Sequence, residues 1–248
     1  MKRCAARSNG SGATGMFEVA IVAAFEREVA PLLKRTRRVE REYDGRKFTF
    51  FENEGTVIVC GGMGAEAARR AAEAVIALYH PRLVQSTGFA GALQSELRIG
   101  DIFVPSVVIN ASDGSRNETE GESGALLTFM SVADVKQKAA LAQAYGARAI
   151  DMEAAFVGAA AQARGTKFRA VKVISDEFNF EMPKLSRFID GQGRFRTANF
   201  ILFAALRPWL WGRVITLARN SNAAARRLAD YLTEHSPRAS SAVGTKRL

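Results

Sequence analysis

The sequence predicts an α/β fold, a single domain whose central twisted sheet is mixed but mostly parallel and is flanked by helices. Three observations predict it. Apolar runs rich in β-branched residues alternate with segments of helical period. Glycine-rich punctuation follows several of the strand-like runs. The size suits one large domain, with 48% hydrophobic and 24% charged residues over 248 positions, and no internal repeat is visible.

Phe17 to Ala24 is an apolar run interrupted only by Glu18 and reads as a buried strand, and Glu26, Glu28, Val29, Leu32 and Leu33 follow at helical spacing. The basic stretch Lys34 to Lys47 interleaves Glu40, Glu42 and Asp44 and is expected to be an exposed turn. Phe48 to Phe51 and Thr56 to Cys60 read as strands. Gly61 to Gly64 then punctuates before an alanine-rich helix from Ala65 to Tyr79, which stops at His80-Pro81. Arg82 to Thr87 and Ile99 to Ile109 are strand-like, separated by a glycine-rich turn over Thr87 to Ala92. The polar stretch Asn110 to Gly124 reads as a mobile loop.

Further strands are expected at Leu126 to Phe129, Ala147 to Asp151 and Phe168 to Ile174, with helices over Ala133 to Tyr145 and Ala154 to Ala163. A loop from Glu177 to Gly193 leads into helices from Thr197 to Leu232. The folded domain is expected over residues 16–235, between flexible tails at 1–15 and 236–248.

Composition narrows the function. The net charge is +10, but Lys2, Arg3, Arg7, Arg238, Lys246 and Arg247 lie in the two tails, so a nucleic-acid partner is not expected. Cys4, Cys60, His80 and His235 are far apart and match no metal-ligand spacing, so neither a metal nor a cofactor is expected. Two distant cysteines and no apolar segment before Gly15 point to the reducing cytoplasm. No run approaches the ~18 apolar residues that would span a bilayer.

Chemistry-bearing groups gather where strands end: Glu26 and Glu28, the Gly61 to Gly64 turn, Thr87 to Gly91, Asp151-Met152-Glu153, and Ser175-Asp176-Glu177. Acids at several strand ends of one parallel sheet converge on one cleft. Each alone also has a plain structural use, such as favouring a helix N-terminus. Gly62-Met63-Gly64-Ala65-Glu66-Ala67 fits a dinucleotide pattern, but it does not follow the first strand, and the next strand ends in Gln85-Ser86-Thr87 without the ribose-holding acid.

In order, the chain carries Ile21-Val22-Ala23-Ala24-Phe25-Glu26-Arg27-Glu28-Val29, Gly61-Gly62-Met63-Gly64, Thr87-Gly88-Phe89-Ala90-Gly91-Ala92 with Arg98-Ile99-Gly100-Asp101-Ile102, Asp151-Met152-Glu153-Ala154, and Ile174-Ser175-Asp176. Over Phe17 to Asp176 this series resembles the nucleoside phosphorylase superfamily, above all its 5′-methylthioadenosine/S-adenosylhomocysteine nucleosidase branch. The resemblance implies cleavage of the N-glycosidic bond of a purine nucleoside, with adenine as the expected base. It implies that Asp176 is the general acid at the purine, that Glu153 holds the ribose hydroxyls, and that Glu28 activates water. Phe25, Gly62, Met63, Phe89, Ala90, Gly91, Met152 and Ser175 are expected to bind substrate. A homo-oligomer is implied as well.

Water is expected as the nucleophile in preference to phosphate, because Ser86 stands where many phosphorylases of the superfamily carry an arginine. Two alternatives remain. The C-terminal stretch, with Arg207-Pro208 and Leu217-Ala218-Arg219-Asn220-Ser221, resembles phosphorylase-type proteins of hopanoid synthesis, which implies removal of adenine from an adenosyl lipid by water or phosphate. Phe203, Leu206, Leu210, Val214 and Leu217 fall at helical spacing and would then meet a membrane surface peripherally; otherwise the stripe packs on the sheet or on a second subunit. The second alternative is a nucleoside-binding protein without catalysis.

Overall fold

The structure, a computed structural model, describes residues 17–121, 124–181 and 208–235, with the side chains of the last segment from Ile215 onward. Its strands are β1 (Val19–Ala23), β2 (Arg37–Tyr43), β3 (Arg46–Asn53), β4 (Thr56–Cys60), β5 (Leu83–Ala92), β6 (Ile102–Phe103), β7 (Val107–Asn110), β8 (Arg116–Glu118), β9 (Ala125–Thr128), β10 (Ala147–Asp151) and β11 (Lys167–Asp176). The helices are α1 (Glu26–Leu33), α2 (Ala65–Tyr79), α3 (Val135–Tyr145), α4 (Ala154–Gln162) and α5 (Pro208–Glu234).

Strand β5 is the axis of the sheet. One of its edges carries β11 in parallel from Leu83 to Gly91. The other carries β1 in parallel over its first half, and β10 at its tip, where Ile150 pairs with Gly91 in antiparallel sense. Beyond β1 lie β4, β3 and β2; beyond β10 lie β9, β7 and β8. The central pairings are parallel and the outer hairpins antiparallel, which gives the expected mixed sheet.

Both faces are covered. The alanine-rich helices α2 and α4 pack on one face, over Val22, Val57, Val59, Val84, Ala170 and Ile174. Their small side chains allow close approach: a methyl group on Gly61 would lie 2.6 Å from the Ala71 Cβ. Helices α1 and α5 cover the other face, where Val29, Ala224, Leu228 and Leu232 meet Ile21, Val171 and Val173. Alternate residues of β11 thus serve opposite layers, as period two requires.

Several local expectations change. Residues 34–47 are not simply an exposed turn: Arg37–Tyr43 forms an antiparallel edge strand with β3, turning at Asp44 and Gly45, both with positive φ. Alternating charges suit a solvated edge that must not recruit another strand. The glycine-rich segment Thr87 to Ala92 continues β5 in place of a turn, because partners on both edges keep it extended. Ile99 to Ile109 is two strands, since Pro105 lacks the N–H a ladder needs.

Residues 110–124, read as a mobile loop, include β8 paired with β7. Helix α3 begins at Val135 and not at Ala133, because the Asp134 carboxylate accepts from the Gln137 amide at 2.8 Å while Gln137 Oε1 accepts from the Asp134 amide at 3.0 Å. Strand β11 extends through Ser175 and Asp176. The described part of the C-terminal region is one helix of 27 residues, α5. The tails at 1–15 and 236–248, the loop from 182 and the helix start at Thr197 fall outside the described residues.

Leu228 of α5 is fully buried against the sheet. Leu228→Ala is expected to cost ~2–5 kcal/mol, read as a lower midpoint in chemical denaturation at an unchanged slope; a midpoint like the wild type's would show that α5 does not belong to the core.

Candidate active site

Where β1, β5, β10 and β11 end, the sheet leaves a cavity of about 320 Å³ roofed by α5. Phe25, Glu28, Met63, Phe89, Ala90, Gly91, Met152, Glu153, Ser175 and Asp176 all line it. Gly62, expected beside them, is not on the wall; its amide donates to the Ala24 carbonyl at 3.0 Å and fixes the turn that presents Met63. The stripe residues Phe203, Leu206, Leu210 and Val214 are not among the described side chains, while Leu217 lines the cavity.

Glu28 sits in the first turn of α1 with 4% of its surface exposed. Its Oε2 accepts from the amides of Ala24 and Phe25, each at 3.1 Å, so the strand-to-helix turn itself aims the carboxyl inward. Burial pushes the Glu28 carboxyl above its ordinary range, against the pull of those amides and of Lys172. Gly88 makes room for it, for a methyl group there would stand 3.0 Å from Glu28 Oε2.

Glu153 accepts from the Gly64 amide at 2.8 Å and the Met152 amide at 3.3 Å. Its carboxyl is pushed up to about 7, first by burial, then by the neighbouring charge of Asp151. Beneath lies Lys172, 1% exposed, whose Nζ is 2.8 Å from Asp151 Oδ2 and donates to Ser86 Oγ at 3.0 Å. Asp151 also accepts from Thr128 Oγ1 at 2.6 Å and from the Ala154 amide at 2.9 Å. Its three partners come from β9, α4 and β11, so the acid acts as a structural clamp.

Asp176 occupies the far end of the cavity. The pairing of β11 with β5 skips a residue between Ile174 and Asp176, and this bulge at Ser175 lets two successive side chains reach the cavity. Ser175 Oγ donates to Asp176 Oδ1 at 2.8 Å. The other oxygen, Oδ2, is ion-paired with the ammonium of Lys138 from α3, which also donates to the Glu177 carbonyl at 2.9 Å.

The phosphorylase superfamily model matches residues 18–134 and 125–205. The chain belongs to the phosphorylase superfamily. No curated protein matches it significantly. Among solved structures it is similar to the 5′-methylthioadenosine/S-adenosylhomocysteine nucleosidase of Helicobacter pylori, with TM-score 0.65 and 18% identity over 88% of this chain and 97% of that one. The futalosine hydrolase of the same organism gives TM-score 0.64 and 18% identity, covering 88% and 96%. The S-adenosylhomocysteine nucleosidase of Streptococcus pyogenes, solved with 5-methylthiotubericidin, gives 0.64 and 20%, covering 89% and 96%. At these identities the likeness is one of fold, and superfamily membership supports an N-glycosidic-bond hydrolase or phosphorylase.

Three residues of this superfamily member escaped the sequence. Lys172 left a signal, a lysine inside the apolar run Phe168 to Ile174, where a charge needs a buried partner. Asp151 stands among the acids at strand ends, but nothing near it in the sequence names Lys172 as its partner. Lys138 left none, since it reads as part of a solvated helix face.

Because the Glu153 carboxyl is raised from 4.5 to about 7, the unfolded chain ionises first and stability falls as pH rises through that window. Glu28, also raised, acts in the same direction. Glu153→Gln is therefore expected to flatten part of the fall in thermal midpoint between pH 4.5 and 7, by roughly 2–4 °C for each kcal/mol recovered. Parallel wild-type and variant curves would remove Glu153 from the titration.

Proposed function

We propose that this protein hydrolyses the N-glycosidic bond of a purine nucleoside. Breaking that bond leaves positive charge on the ribose and negative charge on the base, so a site needs anionic groups at the sugar, a base for water, and a donor at the leaving group. Glu153 accepts hydrogen bonds from the ribose 2′- and 3′-hydroxyls, and Met152 packs on the sugar. Glu28 takes a proton from the attacking water, and its raised affinity for protons makes it a better base. Asp176 belongs to the leaving-group end. Adenine, the base taken from the resemblance, fits this scheme as any purine does.

One observation carries the choice of water over phosphate. The buried ammonium groups Lys138, on the cavity wall, and Lys172, beneath it, are paired with carboxylates. The other cation on the wall, Arg27, is exposed and lies over the Phe25 ring, and a phosphate beside Glu28 would face Glu28 and Glu153 together. A dianion needs a cationic or amide-rich cradle; a water needs only an acceptor. A second reading, the adenosyl lipid, has its own support in the apolar wall that Leu217, Ala218 and Ala225 of α5 give the cavity, with Ile215 exposed nearby.

Incubating the protein with a panel of purine nucleosides, 5′-methylthio and long 5′-alkyl adenosines included, tests both readings. The expected product is the free sugar at the same rate with and without phosphate. Ribose 1-phosphate formed only with phosphate would make the enzyme a phosphorylase, and a strong preference for the long alkyl chain would favour the lipid. In the same assay Asp176→Asn is expected to lower turnover by at least roughly 10²-fold. It should also destabilise the fold by about 3 kcal/mol, because Lys138 loses its anion; wild-type-like turnover would take Asp176 out of the mechanism.

A further inference from the structure

Helix α3 buries a single residue, and that residue is Lys138. Holding a helix against a sheet calls for an apolar side chain, whereas burying an ammonium is costly even when it is paired. The explanation for Lys138 therefore lies in what its charge meets. It lines the cavity beside Asp176, Ser175 and Gly91.

We propose that the Lys138 ammonium, aimed by Asp176, is the proton donor to the leaving base; this rests on the N-glycosidic reading above. Two of its three hydrogens go to Asp176 Oδ2 and the Glu177 carbonyl, and the third has no acceptor among the described residues. Asp176 Oδ2 accepts from Lys138, and its Oδ1 lies 2.8 Å from Ser175 Oγ, whose single hydrogen also has the Ala90 carbonyl within reach at 3.4 Å; the member of the pair with a hydrogen free for the cavity is the ammonium. Gly91 presses the pair together: a methyl group there would lie 2.8 Å from Asp176 Oδ2 and 3.3 Å from Lys138 Nζ.

The step balances. The bond between C1′ of the ribose and N9 of the purine breaks, and its electron pair passes to N9 and through the ring to N7. N7 takes a proton from Lys138 Nζ, leaving a neutral amine beside the Asp176 carboxylate. The oxygen of water bonds to C1′, and its proton goes to Glu28. Once the base departs, the amine regains a proton from solvent and Glu28 returns one.

The test compares a purine nucleoside with 4-nitrophenyl β-D-ribofuranoside, whose nitrophenolate leaves without being protonated. Lys138→Met is expected to cut turnover of the purine nucleoside by at least roughly 10²-fold, and that of the nitrophenyl riboside by at least about tenfold less. The double variant Lys138→Met with Asp176→Asn removes both charges, so no unpaired carboxylate opposes folding, and it should show the same split. Retained purine cleavage by Lys138→Met would overturn the proposal, because an unpaired buried carboxyl takes up a proton and serves as the acid itself. Equal losses on both substrates would reduce Lys138 to a structural role. A folded wild type that cleaves neither substrate would instead bring down the N-glycosidic reading, and this proposal with it.

Discussion

The ammonium of Lys172 lies buried among Asp151, Glu153 and Glu28, and much of the cavity wall follows from keeping it there. Three carboxyl groups taken out of water repel one another, and each resists ionisation. One central cation makes the cluster tolerable. Its position is set by strand register, with Lys172 opposite Gly88 and Ala170 opposite Ser86. Asp151 then carries the constraint outward, through Thr128 to β9 and through the Ala154 amide to the start of α4. The Ala155 amide donates to Thr128 Oγ1 at 3.0 Å and closes the same network. Moving Lys172 would loosen two strands and a helix together.

The cavity is polarised along β5. Gly88 stands against Glu28 and Gly91 against Asp176 and Lys138, three residues or roughly 10 Å apart. At one end carboxyl groups gather around a cation already claimed by Asp151; at the other an ammonium is presented by its carboxylate. The two glycines explain the motif better than flexibility does. Each is small because a charged side chain occupies the space where a Cβ would sit.

The alternation of strands and helices was readable because buried strands and alanine-rich helices leave strong periodic patterns, and the cavity acids Glu28, Glu153 and Asp176 were readable because they lie at or just beyond the ends of strands. Three features were hidden by non-local causes. Thr87 to Ala92 looks like a turn until β10 and β11 flank it. Lys172 breaks an apolar run, yet nothing local names Asp151 as its partner. Lys138 belongs to a helix whose neighbours in sequence are polar, and only the return of β11, 38 positions later, makes it a buried charge.

The placement of β11 also governs how the molecule can be made. It is the last strand among the described residues, yet it pairs along nearly the whole of β5. During synthesis β5 emerges with that edge bare, and its apolar flank must wait while the chain lays down α3, β10 and α4. Until residue 176 has left the ribosome, Lys172 and Asp176 do not exist and the acids of β10 and α1 have no counter-charge. Nascent chains thus lack part of the cavity wall and carry an open strand edge, the kind of surface that invites mispairing. For this fold, the interval between translating β5 and translating β11 is the period in which a chaperone has most to protect.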